Sequence, residues 1–193
     1  MFIKKKILVP VEVSARHCHL SKEDLEKLFG VGYELTKMKQ LSIPADFACA
    51  ETVSIQFGSK KIEKVRVVGP LRKQTQVEIS LTDAVGSGVI PQVKASGELM
   101  GTSPVALEGP KGAVSLTEGL IVALRHIHCA TDEAKKLKLE NGDVVSVKIS
   151  GDRSIIFENV IVRVRDDYKL YMHLDTDEGN AAGINKIGNG VIL

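Results

Sequence analysis

The chain has 193 residues, 44% hydrophobic and 26% charged, and its 26 Lys and Arg against 24 Asp and Glu leave a formal charge of +2. That length buries a sizeable core in one or two small domains, and the near balance of charge argues against bulk binding to nucleic acid or a membrane surface. Trp is absent and aromatic residues are 4% of the chain, which weakens readings built on base or sugar stacking; three cysteines without paired spacing fit a reducing, cytoplasmic setting.

The N-terminus opens with Lys4-Lys5-Lys6, but the apolar run Ile7 to Val9 stops at Pro10, short of the roughly 7 to 15 residues of a secretory signal core. No segment approaches the roughly 18 apolar residues of a membrane helix. Val9 to Val13 reads as a strand leading into Arg16-His17-Cys18-His19. Ser21 then caps a short helix with an acidic first turn, Leu25, Leu28 and Phe29 on its apolar stripe, and Gly30 at its end. Glu51 to Phe57 and Lys61 to Val68 flank Gly58-Ser59-Lys60 as a hairpin. Gln76 to Ser80, Ala113 to Leu116 and Leu120 to His126 are further strands, and the last of these enters Arg125-His126-Ile127-His128. Thr131-Asp132-Glu133 opens a second short helix, with Thr131 as its cap, that Asn141-Gly142 ends. Asp143 to Ser150 and Ile155 to Val164 are strands, and Asp175 to Glu178 caps a last helix.

The order of strand, Arg-His-x-His, cap, short amphipathic helix and Gly therefore occurs twice. The expected fold is mainly β, with two β-barrel lobes related by internal duplication and each capped by short α-helices. The lobes are expected over residues 1–95 and 96–193, each with one Arg-His-x-His motif, with strands free to swap between them; the Gly- and Pro-rich stretch from Gly86 to Pro110 holds the boundary.

Four of the five histidines lie in the two tetrapeptides. In an extended strand the flanking residues of a His-x-His share a face, so each pair is a two-point claw for a metal that needs one more ligand. Cys18 then points the other way as a small buried residue, and Cys129 reads the same way. His173 alone is better explained by a satisfied hydrogen bond in or near the core than by a ligand role. Glu78 lies in the otherwise apolar Val77-Glu78-Ile79, and a metal partner or an edge-strand charge facing solvent explains it equally. Among the arginines, Arg72 enters the strand carrying Glu78, and an Arg beside a metal grips a phosphate or carboxylate bidentately.

On Val13 to Ser21, Thr75-Gln76-Val77-Glu78-Ile79-Ser80, Arg125-His126-Ile127-His128 and Met172 to Glu178, the chain resembles the phosphate propanoyltransferase family, the PduL-type phosphotransacylases. The resemblance runs from about Val9 to Ala182. It implies two β-barrels with short helices and reversible conversion of acyl-CoA and phosphate to acyl phosphate and CoA, with propanoyl-CoA or acetyl-CoA as substrate. It implies two zinc ions per chain, one held by His17, His19 and Glu78 and the other by His126, His128 and His173. It also implies that Arg72 is the catalytic phosphate-binding residue, and that Val13, Ser14, Ala15, Lys39, Arg66, Val68 and Asn180 bind CoA. On this reading phosphate attacks the thioester directly, and the two claws form the walls of one active site. The alternatives are a zinc-dependent hydrolase of a thioester, ester or amide, which phosphate dependence discriminates, and a β-barrel that binds metal or anion without turnover. The chain shows no evident microcompartment-targeting extension, no nucleic-acid or membrane partner is expected, and a homo-oligomer is compatible with everything above.

Overall fold

Runs of β-branched residues broken by short polar turns give a mainly β architecture in the computed structural model, which describes residues 7–193. The basic start Lys4-Lys5-Lys6 lies outside the described residues. Among the described residues no helix is long and apolar enough to cross a membrane.

The described residues divide into two compact units, one of residues 15–41 and 45–123, the other of residues 7–14, 42–44 and 124–193. In the first, β2 (His17–His19) lies parallel to β5 (Lys60–Gly69) and antiparallel to β6 (Gln76–Glu78). From β6 the ring runs through β9 (Ala113–Ala123), β8 (Ser103–Glu108) and β4 (Phe47–Phe57) back to β5, closing a six-stranded barrel. Two further strands attach outside this ring, β3 (Lys37–Gln40) on β4 and β7 (Gln92–Lys94) on β9. The helices are α1 (Lys22–Phe29) and α2 (Leu81–Ala84).

The second unit repeats the plan strand for strand. Here β10 (His126–Cys129) lies parallel to β12 (Ile155–Val164) and antiparallel to β13 (Tyr171–Leu174). The ring continues through β1 (Ile7–Val13), β14 (Ile187–Ile192) and β11 (Val144–Ile149) to β12. Its helices are α3 (Thr131–Leu137) and α4 (Thr176–Ala182). In each unit the strand that leads into the claw is absent from that claw's own barrel: β1 precedes β2 but pairs with β13 and β14, and β9 precedes β10 but pairs with β6, β7 and β8. Closure leaves no free edge in either ring, which is how small all-β units avoid edge-to-edge association.

Alternation fixes the register. Cys18 and Ile127, the middle residues of the claws, are fully buried in the two hydrophobic cores, with Val53, Ile55, Val67 and Leu120 around the first and Val9, Val11, Phe157 and Met172 around the second. A slip of one residue would drive imidazoles into those cores and expel an apolar side chain, so burial sets which face the histidines occupy.

Several elements differ from the sequence expectation. The claws are not strand ends but short strands of their own, and the expected strands Ala113 to Leu116 and Leu120 to His126 become one strand, β9, that stops before Leu124. Gly119, with φ of 143°, lets that strand run through. The hairpin turn is two residues long, because Phe57 pairs with Lys60. The residue before α3 is Ala130 rather than Thr131; Glu133 accepts from the Ala130 N–H at 3.1 Å, while the Thr131 hydroxyl donates to Asp166 at 2.5 Å. That helix ends at Leu137, where Lys138 adopts a left-handed conformation, well before Asn141-Gly142. By contrast α1 follows its sequence signals, with the Ser21 hydroxyl accepting from Asp24 N–H at 3.1 Å and Gly30 at its end.

Candidate functional site

The first claw is assembled by strand register. Pairing of β2 with β6 sets His17 directly opposite Glu78, and pairing with β5 sets it beside Arg66. The His17 Nδ1–H donates to the Ala15 carbonyl at 2.9 Å, and the His19 Nδ1–H donates to the Val68 carbonyl at 2.9 Å. Each ring is thereby held in the tautomer that leaves Nε2 with a lone pair, the usual support for a metal-binding imidazole. His17 Nε2 stands 3.6 Å from Glu78 Oε2, and one ligand atom from each of His17, His19 and Glu78 lies within 4.8 Å of the others.

The protonation states suit this arrangement. Burial first, then the charges of His17 and Arg72, hold the His19 pKa well below its ordinary value, so the ring is neutral. Burial alone would push the Glu78 carboxyl up, but His17, His19, the hydrogen bond from Ser96 and the charge of Arg72 together bring it down to about 2. Two imidazoles, with Nε2 free on each, and an ionised carboxylate are a donor set that fits a divalent cation such as zinc.

Glu78 Oε1 is held separately. The Gln76 side-chain amide donates to it at 2.5 Å and the Ser96 hydroxyl donates to it at 2.9 Å. Ser96 also accepts from Arg72 Nη1 at 2.9 Å, and the Arg72 backbone N–H donates to the Leu20 carbonyl at 2.9 Å. Arg72 is therefore fixed beside Leu20 and Ser21, directly after the claw.

The second claw shares the scheme. β10 and β13 set His126 opposite His173, and the His126 Nδ1–H donates to the Leu124 carbonyl at 2.8 Å, two residues back as for His17. The three rings gather with centroids 4.5 Å apart for His126 and His128, 5.4 Å for His126 and His173, and 5.0 Å for His128 and His173. Burial, then His126, His173, Arg163 and Arg165, lower the His128 pKa and keep it neutral. Among the described residues it is the first trio whose ligand atoms converge within 4.8 Å, whereas the second comes together as rings. Three imidazoles also fit zinc chemically.

The other predicted residues divide between the units. Ala15, Lys39, Arg66 and Val68 lie with the first claw: Ala15 and Val68 contribute the carbonyls that orient its rings, Lys39 is exposed on β3, and Arg66 donates to the Cys49 and Ala50 carbonyls at 3.0 and 2.8 Å. Val13, Ser14 and Asn180 lie with the second: Val13 ends β1, the Ser14 N–H donates to the Leu174 carbonyl at 2.8 Å, and Asn180 is exposed on α4. Cys18 and Cys129 are free, buried thiols, which burial pushes up to about 12 and about 11.

With this geometry in place, comparison with known proteins is decisive. The family model described as phosphate propanoyltransferase matches residues 10–185. The chain belongs to the phosphate propanoyltransferase family. Within it, the chain is 50% identical over 184 residues to the phosphate propanoyltransferase of Thermotoga maritima, covering 95% of this chain and 88% of that protein. It is 46% identical over 184 residues to that of Clostridioides difficile, with the same coverage, and 46% identical over 185 residues to that of Listeria monocytogenes, covering 96% of this chain and 87% of the relative. The family is one of acyltransferase enzymes.

Sequence reasoning missed Gln76, Ser96 and Asp83, and read Glu178 only as part of the cap of the last helix, which the capping box with Asp175 bears out. Asp83 and Glu178 carried a signal: Glu78-x-Ser-x-x-Asp83 aligns with His173-x-Asp-x-x-Glu178, and each acid closes a capping box and pairs with the arginine before its claw, at 2.6 Å for Arg16 and 3.2 Å for Arg125. Ser96 stands in a loop after β7 with no local pattern to mark it.

Proposed function

We propose that this chain transfers a short acyl group, propanoyl or acetyl, between coenzyme A and phosphate: acyl-CoA plus phosphate gives acyl phosphate plus CoA, reversibly. The observation that carries the reading is the joining of Arg72 to a metal-fitting trio of His17, His19 and Glu78 through one hydroxyl. An anion grip fixed beside a Lewis-acid site suits a phosphate nucleophile.

In this mechanism the Arg72 guanidinium binds phosphate and neutralises part of its charge. Held there, a phosphate oxygen attacks the thioester carbonyl carbon; the new C–O bond forms, the C–S bond breaks, and CoA leaves with the electron pair. Zinc, when bound by His17, His19 and Glu78 and by His126, His128 and His173, supplies Lewis-acid stabilisation of the charge that develops. Val13, Ser14, Ala15, Lys39, Arg66, Val68 and Asn180 hold CoA in this reading. Direct attack is favoured over an acyl-cysteine because Cys18 and Cys129 are buried thiols with raised pKa values, poor sources of thiolate. Three buried free thiols also suit work in a reducing cytoplasm.

The test is CoA release from propanoyl- and acetyl-CoA with and without phosphate. Release should require phosphate, and Arg72→Ala should lower kcat/KM for it by about 100-fold or more while zinc content stays near that of the wild type. Equal release without phosphate would establish a hydrolase instead.

A further inference from the structure

Ser96 stands where three side chains of the first site meet. Its hydroxyl has one donor and two acceptor positions, and the structure uses all three. Arg72 Nη1 and Gln76 Nε2 each lie 2.9 Å away and can only donate, while Glu78 Oε1, also at 2.9 Å, can only accept. The hydroxyl proton therefore has one direction, toward the carboxylate. The Gln76 amide has no freedom to turn either, because its Oε1 accepts the Gly97 N–H at 2.7 Å, which aims Nε2 at Glu78 and Ser96. Gln76 is almost wholly buried, at 1% exposure, so its partners are protein groups rather than water. The result is a closed triangle of Gln76 Nε2, Ser96 Oγ and Glu78 Oε1 with Arg72 attached at one corner. It immobilises Oε1 and leaves Oε2 on the side of His17.

We propose that Ser96 is a positioning residue that sets two groups at once: the Glu78 carboxylate for a divalent cation and the Arg72 guanidinium for phosphate. It touches neither ligand itself. One hydroxyl thereby joins the anion grip to the metal site. The phosphate half rests on the function proposed above; the metal half does not.

Without the hydroxyl, Glu78 loses a donor, and a buried N–H of Gln76 and one of Arg72 lose their acceptor. Groups that orient a metal ligand from behind usually change metal affinity by about 10- to 100-fold. The test compares Ser96→Ala with Ser96→Thr, which keeps the hydroxyl. In zinc competition with a chromogenic chelator, Ser96→Ala should weaken one class of bound zinc about tenfold or more and leave any other class unchanged, while Ser96→Thr stays within about threefold of the wild type. In the CoA-release assay, Ser96→Ala should raise KM for phosphate with KM for acyl-CoA held, and Ser96→Thr should restore it. Wild-type zinc affinity in Ser96→Ala, or equal loss in both variants, would overturn the proposal, the second outcome assigning Ser96 to packing alone. Weakened zinc in Ser96→Ala, with no phosphate-dependent release by the wild type, would uphold the metal role and remove the transferase reading.

Discussion

The arginines that open the two claws show how single residues hold this architecture together. Arg16 forms a bidentate pair with Asp83, and Arg125 lies 3.2 Å from Glu178; each acid is also the third residue of the helix that follows the third member of a trio. One ion pair in each unit thus ties the strand carrying the claw to the strand opposite. The two acids differ in their surroundings. Burial, then the neighbouring Asp175 carboxylate, push the Glu178 carboxyl up to about 7, outweighing the pull of Arg125. An unfolded chain releases this proton near its ordinary value of 4.5, whereas the folded chain keeps it until about 7. Between those values the folded state binds more protons than the unfolded one, so its stability falls as pH rises. Below the window both states are protonated and above it both are ionised, so the contribution is level on either side. Glu178→Gln removes the titration and keeps an acceptor for the Asp175 N–H that the capping box uses. In urea titrations at pH 4 to 8, the stability of wild type relative to Glu178→Gln should decline by up to about 1.4 kcal/mol per pH unit inside the window. A difference independent of pH would show that Arg125 keeps the carboxylate ionised throughout.

At the scale of elements, α1 shows what local sequence encodes and what it leaves out. Ser21, the acidic first turn, the buried Leu25, Leu28 and Phe29, and Gly30 all lie within one stretch, so the helix and its buried face were legible from the sequence. What receives that helix was not, because its seat is built by the distant turn between β8 and β9. There the Lys111 N–H donates to the Leu28 carbonyl at 3.0 Å, satisfying one of the carbonyls that the last turn leaves open. A Cβ on Gly109 would lie 2.5 Å from the Leu28 carbonyl oxygen and 2.9 Å from Leu28 Cβ, and a Cβ on Gly112 would lie 2.7 Å from the Lys27 carbonyl oxygen. Gly109→Ala should therefore push α1 off its seat and cost about 1 to 3 kcal/mol, read as a lower melting temperature. An unchanged or raised melting temperature would mean that the turn yields and that the loss of glycine entropy in the unfolded chain dominates. The same division between local and distant applies at the site. The two His-x-His pairs could be read as sharing a face because strand alternation is local. Glu78 remained an even choice in the sequence because its neighbours come from other strands and from Ser96. The independence of β2 and β10 as strands was hidden as well, since their hydrogen-bonding partners arrive from β5, β6, β12 and β13.

At the scale of the whole molecule, duplication alone would predict two self-sufficient halves, whereas the strand pairing predicts two halves that each need a strand from the other. A cut between Pro110 and Lys111, in the turn that separates β8 from β9, divides the repeats in sequence but opens both barrels. The N-terminal piece keeps β2, β4, β5, β6 and β8 and loses β9, leaving β6 and β8 with unpaired edges and removing the fully buried Leu120 and Ile121. The C-terminal piece keeps β10 to β14 and loses β1, exposing the edges of β13 and β14 and removing the fully buried Val9 and Val11. Unpaired edges and opened cores favour association over folding. Residues 1–110 and 111–193 expressed separately should each lack a cooperative thermal transition, whereas the two expressed together should co-purify and recover one, because β1 and β9 then find the strands they pair with. A cooperative transition in either piece alone would show that its barrel closes without the exchanged strand, and that the exchange is an accident of chain order rather than a condition of folding.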